Sequence, residues 1–189
     1  NIYIFNDVKN HWAKDMIKLS AEKGIVNGKT ADTFEPAANI TRAEFAELVY
    51  LTGLAKDKGT AVAFTDVAES HPKFASIKAA ASAGLINGYD NGDGTFSFKP
   101  DNTITRAEVV TVINRARGTS KTLDMINKEM ILVFLDTDRT HWAFADIAEA
   151  TIPHVEAENG SWLYPEKDPL VLLGEKFDVN AYYNIEAGN

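Results

Sequence analysis

Two arginines stand in identical surroundings. Ile40-Thr41-Arg42-Ala43-Glu44 recurs, letter for letter, as Ile104-Thr105-Arg106-Ala107-Glu108. A guanidinium is a planar fork of N–H donors, suited to gripping a carboxylate through two parallel charge-assisted bonds. The neighbours of each arginine have a simpler explanation. Thr41 with Glu44, and Thr105 with Glu108, have the spacing of a capping box, which satisfies otherwise orphaned amides at a helix start. That accounts for the Thr and the Glu. It leaves the Arg between them in the first turn, where the helix dipole disfavours a cation. The plain alternative is a surface ion pair, worth at most about 1 kcal/mol. Duplication of the arginine against local preference points instead to a task for the guanidinium.

Other reactive residue types argue for less. His11, His71 and His141 follow aligned starts but lie in separate segments with no short ligand spacing, so packing at helix starts is favoured over metal binding. Asp90-Asn91-Gly92-Asp93-Gly94 has calcium-loop composition without the full ligand spacing or closing Glu, and reads as a turn. Paired acids such as Asp136 and Asp138 are too common in loops to indicate glycosidase chemistry. There is no Gly-rich phosphate loop and no nucleophile with a base and an orienting group. No cofactor and no metal is expected, and the chain is read as a non-enzyme.

The 189 residues carry a net charge of −8, with 45% hydrophobic and 24% charged residues. A sizeable core is possible and global disorder is disfavoured. The acidic balance argues against broad nucleic-acid or anionic-membrane binding, while leaving room for one acidic ligand held by local cations. No apolar run is long enough to span a bilayer and no signal segment is evident, so membrane insertion is not expected. Cysteine is absent, which excludes disulfides and Cys-based zinc sites. The chain begins at Asn1 without Met and reads as an excised or processed fragment, expected to be monomeric.

The elements that must position the arginines repeat as well. Phe5-Asn6-Asp7-Val8, Phe64-Thr65-Asp66-Val67 and Phe134-Leu135-Asp136-Thr137 align, each followed by its histidine and, at equal spacing, by Ile17, Ile77 or Ile147. The unit is about 60 to 70 residues long. In the first two copies Gly24-Ile25-Val26-Asn27-Gly28 matches Gly84-Leu85-Ile86-Asn87-Gly88. Each unit reads as helix, loop, helix. Trp12, Ala13, Met16, Ile17 and Leu19 predict an amphipathic helix from Trp12 to Lys23, stopped by Gly24. Phe34-Glu35-Pro36 and Phe98-Lys99-Pro100 supply buried loop anchors, and the capping box opens a second helix. Phe45, Leu48, Val49 and Leu51 line that helix in copy one, and Val109, Val110, Val112 and Ile113 in copy two. Residues 53–63 and 116–124 read as linkers. Copy three opens a helix from His141-Trp142 to about Ala150 but has no Gly-Ile-Val-Asn-Gly and no Thr-Arg-Ala-Glu. Pro153 ends it, Asn159-Gly160 predicts a tight turn of a hairpin, and residues 165–189 an irregular tail. The boundaries are 1–55, 60–118 and a degenerate 130–165, followed by a tail at 166–189.

Taken together and in order, Phe-x-Asp-Val, His-Trp, Gly-Ile-Val-Asn-Gly, Phe-x-Pro and Ile-Thr-Arg-Ala-Glu resemble the S-layer homology (SLH) family. The likeness covers roughly residues 4–155, strong in two copies and partial in the third. It implies a mainly α fold in which three helix-loop-helix repeats form one domain, a pseudo-threefold, spindle-like bundle. It implies an extracellular module at the bacterial cell wall or S-layer, anchoring non-covalently to a peptidoglycan-associated secondary cell wall polysaccharide that carries pyruvylated N-acetylmannosamine, held in grooves between repeats. The site residues it implies are Arg42 and Arg106 for the ketal carboxylate, and Asp7, Asp66 and Asp136 for sugar hydroxyls. Trp12 and Trp142 would offer stacking platforms, and Gly28 and Gly88, with Gly24 and Gly84, close backbone approach. Copy two has Pro72 in the Trp place. A groove needing an arginine from copy three is expected to be weak or dead. The second reading is a structural S-layer protein that self-assembles through protein–protein contacts. The third, a wall-glycan hydrolase, lacks any pair of acids to carry it.

Overall fold

The computed structural model describes residues 5–60, 63–126, 134, 136–151, 155–156 and 162–163, the last four by backbone alone. The chain is mainly helical and divides into two compact units, 1–118 and 119–189. The first holds α1 (Lys14–Glu22), α2 (Arg42–Leu51), α3 (Phe74–Ser82) and α4 (Arg106–Arg117), with a hairpin of β1 (Tyr89–Asp90) and β2 (Phe96–Ser97). The second holds α5 (Phe144–Thr151) and an antiparallel pair, β3 (Val155–Glu156) with β4 (Trp162–Leu163). That pair matches the expected hairpin around Asn159-Gly160, although the turn itself lies outside the described residues, as does the expected 165–189 tail. Among the described residues no helix is long and apolar enough to cross a membrane.

Both capping boxes form. The Thr41 hydroxyl accepts from the Glu44 amide while the Glu44 carboxylate accepts from the Thr41 amide, and Thr105 with Glu108 repeats the exchange. Gly24 and Gly84 end α1 and α3 in the left-handed conformation, φ 68° and 73°, which only glycine adopts without penalty. The next amide, of Ile25 or Leu85, folds back onto the carbonyl of Ser20 or Ala80 at 2.9 Å in each case, closing the last turn. The three histidines act alike: Nδ1 of His11, His71 and His141 accepts from the amide two residues on, at 3.2, 3.1 and 3.1 Å. They fasten helix starts, and the described residues contain no cluster of three metal-ligating groups.

Packing crosses the repeat boundary. Ala43, Phe45, Ala46 and Val49 of α2 share a core with Ile77, Ala79 and Ala80 of α3, Val112 of α4, and Leu85, Ile86 and Phe98. Alanine on α3 permits close approach of α2, whose Ala46 is fully buried against it. The second helix of copy one therefore completes the core of copy two. What remains of copy one is a small cluster of Phe5, Val8 and Ile17 with Ala13, Ala21 and Phe34. The amphipathic stripe expected of α1 is corrected accordingly. Ile17 and Ala13 face inward, but Trp12, Met16 and Leu19 are exposed, because a core of three buried residues cannot cover a wider face. The 116–124 linker is also shorter than expected, since α4 runs to Arg117 before Gly118 turns left-handed.

Candidate functional site

Arg42 leaves the first turn of α2 and enters copy two. Its Nε donates to the Phe98 carbonyl at 2.8 Å, one terminal nitrogen to Glu108 Oε1 at 2.8 Å, and the other to the Asn87 carbonyl at 2.9 Å. The guanidinium carbon lies 4.6 Å from the Tyr89 ring centroid and 5.0 Å from that of Phe98. At 3% exposure the side chain is buried. Around it, the backbone of residues 40–43 knits onto residues 100–104. The Arg42 amide donates to Asn102, Ala43 to Pro100 and Ile104 to Ile40, and Thr41 bridges Thr103. Arg42 thus lies at the junction of copies one and two, with each of its three guanidinium nitrogens bonded.

Glu108 is the hub of this socket. It accepts from the Thr105 amide and hydroxyl, the Tyr89 hydroxyl at 2.9 Å, and Arg42. Burial alone would raise its pKa; the Thr105 hydrogen bonds, the Tyr89 hydroxyl and the Arg42 charge outweigh that and hold it below the ordinary value. The Tyr89 phenol is pushed up, by burial and by its bond to Glu108.

Arg106, identical in sequence context, is exposed and has no hydrogen bond or ion pair among the described residues. The two arginines thus part company: one is bonded inside the fold, the other is exposed and unpaired among the described residues.

The other sequence-named residues fall into place around loops. Asp7 accepts the amides of Phe34 at 2.9 Å and Glu35 at 2.6 Å, and Asp66 those of Phe98 and Lys99, both at 2.7 Å. The Phe34 amide, against some desolvation, holds the Asp7 carboxyl below its usual range. These bonds clamp Glu35 and Lys99 in left-handed backbone, φ 59° and 58°, a conformation that non-glycine residues rarely take. Asp136 accepts weakly from Thr137 at 3.4 Å. Gly28 and Gly88 sit in tight places: an added Cβ would collide with the Thr30 and Thr33 carbonyls and the Phe5 ring at the first, and with the Phe64 ring at the second. Trp12 is 92% and Trp142 64% exposed, each ring beside its neighbouring histidine.

Copy one carries a cleft of about 360 Å³ that residue spacing did not reveal. It lies between the loop of residues 27–40 and α2 and reaches Lys73 at the start of α3. Lys29 pairs with Glu44 and Lys73 with Glu47 along its wall. Burial disfavours the charged Glu44, but the Lys29 hydrogen bond and the capped Thr41 amide hold its pKa low. The partners of Arg42 also went unseen in the sequence. Their signal was the motif itself, because Asn87, Tyr89 and Glu108 flank or belong to the repeated segments.

A sequence model of the S-layer homology domain matches residues 4–46 and 63–110. These two repeats belong to the S-layer homology family. Among curated relatives, a cell surface glycoprotein of Acetivibrio thermocellus is 37% identical over 159 residues, 76% of this chain and 6% of that protein. The cellulosome-anchoring protein of the same organism is 36% identical over 173 residues, 86% of this chain and 36% of its own length. The S-layer protein sap of Bacillus anthracis is 31% identical over 140 residues, 73% of this chain and 16% of that protein. The chain thus spans a minor part of each of these relatives. As an S-layer homology module it is a cell-surface segment.

Proposed function

We propose that this module anchors its parent protein non-covalently to the cell wall by holding an acidic secondary wall polysaccharide, with pyruvylated N-acetylmannosamine as the recognised sugar. The observation that carries this reading is the exposed guanidinium of Arg106, unpartnered among the described residues, at a helix start whose twin is fully bonded. A free guanidinium can grip a ketal carboxylate through two bonds, each contributing roughly 1.5–3 kcal/mol. Trp12 and Trp142 offer flat apolar faces to a sugar ring. The copy-one cleft presents amide, carboxylate and ammonium groups for sugar hydroxyls through Asn27, Glu35, Glu47 and Lys73. Arg42 supports the groove by holding copy one on copy two. Asp7 supports it by clamping the Phe34 and Glu35 amides, whose residues line the cleft, while exposed Asp66, which clamps the matching loop of copy two, is read as a further acceptor for sugar hydroxyls. The module itself is read as non-catalytic, its cargo lying elsewhere in the parent.

The test uses purified walls with and without the pyruvate ketal, and calorimetry with a short pyruvylated wall saccharide. Arg106→Ala is expected to lose most wall retention while unfolding like the parent, and the parent to ignore walls stripped of the ketal. Equal retention of Arg106→Ala and parent on intact walls would defeat this assignment.

A further inference from the structure

Copy two shows what its socket accepts; copy one repeats that socket with no described residue seated in it. Residue by residue, Asn27, Phe34, Pro36, Ala38 and Glu44 stand where Asn87, Phe98, Pro100, Asn102 and Glu108 stand in copy two. In copy two these groups accept the guanidinium of Arg42 and the amides of Arg42 and Ala43. In copy one all five line the cleft. The carbonyls of Asn27, Phe34, Pro36 and Ala38 accept no hydrogen bond from a described residue. Lys29 takes the place of Tyr89 and rests on Glu44, leaving three carboxylates and two ammoniums on the lining. Leu48, half-buried, and Leu51, exposed, form an apolar floor where copy two buries Val112.

The complementary half is on the same molecule but elsewhere. Arg106 and Ala107 open α4 as Arg42 and Ala43 open α2, yet their amides and the Arg106 guanidinium are unpaired among the described residues. No other Thr-Arg-Ala-Glu segment exists in the chain.

We propose that residues 104–107 of one copy seat in the first-repeat cleft of a second copy, repeating between molecules the junction that α2 makes within one. The partner subunit's Arg106 would donate to Asn27, Phe34 and Glu44, and its backbone would pair with residues 36–40. The contact is head-to-tail, so each added molecule presents a fresh arginine and a fresh cleft, and association grows with concentration. This replaces the monomer expected from sequence. It also sets the glycan against assembly, since both occupants compete for the cleft and for Arg106.

Sedimentation velocity of the full 189-residue chain in sugar-free buffer tests this. The mean mass of the parent is expected to rise with concentration. Arg106→Ala removes the plug and Ala38→Arg fills the cleft; each is expected to weaken association at least about ten-fold. Arg106→Lys is expected not to rescue, because an ammonium cannot span three acceptors. An equimolar mixture of Arg106→Ala and Ala38→Arg retains one good plug and one good cleft, and should form a 1:1 pair. A parent that stays monomeric at millimolar concentration, or variants that associate as the parent does, would overturn the proposal. Wall retention is read separately, so either failure leaves the other result standing.

Discussion

Replacing Arg42 by Ala separates a buried strut from a surface ion pair. The substitution removes three hydrogen bonds and strips donors from the Phe98 and Asn87 carbonyls and from Glu108. Asn87 is exposed and its carbonyl can turn to water. The Phe98 carbonyl lies beside a fully buried ring, and an unsatisfied buried acceptor costs about 1–3 kcal/mol. The Glu108 side chain is 21% exposed and keeps its bonds to Thr105 and Tyr89, so its lost partner costs toward the lower end of the range for charged bonds, about 1.5–3 kcal/mol. Contact with Tyr89 and Phe98 goes too. The expected loss is about 3–5 kcal/mol, the range for breaking a buried pair from one side. That is a large part of a domain's typical 5–15 kcal/mol. Urea unfolding followed by far-UV circular dichroism, with the slope checked for constancy, measures it. Arg106→Ala serves as the internal control, expected within about 0.5 kcal/mol of the parent. Adding Glu108→Gln to Arg42→Ala should restore part of the loss, because it removes the orphaned charge. A loss under about 1 kcal/mol for Arg42→Ala would show the socket to be ordinary surface electrostatics and refute the reasoning.

Further outcomes follow from the same geometry. Gly28→Ala drives a methyl into the Thr30 and Thr33 carbonyls and the Phe5 ring, and Gly88→Ala into the Phe64 ring; each is expected to destabilise by about 1–3 kcal/mol in thermal melts, whereas alanine at exposed Thr60 should be silent. Asp66→Ala releases the amides of Phe98 and Lys99, with an expected cost of about 1–2 kcal/mol and faster hydrogen exchange confined to that loop. Glu44 and Glu108 are more acidic folded than unfolded. Their contribution is therefore complete above the ordinary glutamate pKa and is lost as pH falls through the lower folded values. Stability should be flat near neutrality and decline below the ordinary glutamate range, with a shallower decline in Glu108→Gln, as read by urea midpoints across a pH series.

Much of the local architecture was legible in the residues. The capping boxes, the glycine stops after α1 and α3, the Phe98 anchor and the turn at residues 90–94 all depend on groups a few positions apart, so short-range hydrogen bonding and backbone sterics decide them. The histidines were also readable as helix-start devices, because one ring nitrogen needs only the amide two residues on. The outward face of α1 was not. Its apolar spacing suits a core-facing helix, and only the small size of the cluster beneath it leaves Trp12 and Met16 in solvent.

The sequence alone established that there are repeated helix-loop-helix units with an arginine at each second helix start, and that these units resemble S-layer homology repeats. It had no means to tell Arg42 from Arg106, since five identical letters carry identical local preferences. Tertiary structure made that distinction. Arg42 meets the carbonyls of Asn87 and Phe98 and the carboxylate of Glu108, groups 45, 56 and 66 positions away, while Arg106 meets none among the described residues. A guanidinium is stable in the interior only where every neighbour arrives to satisfy it, and that convergence belongs to the packing of α2 onto the second repeat, not to the motif.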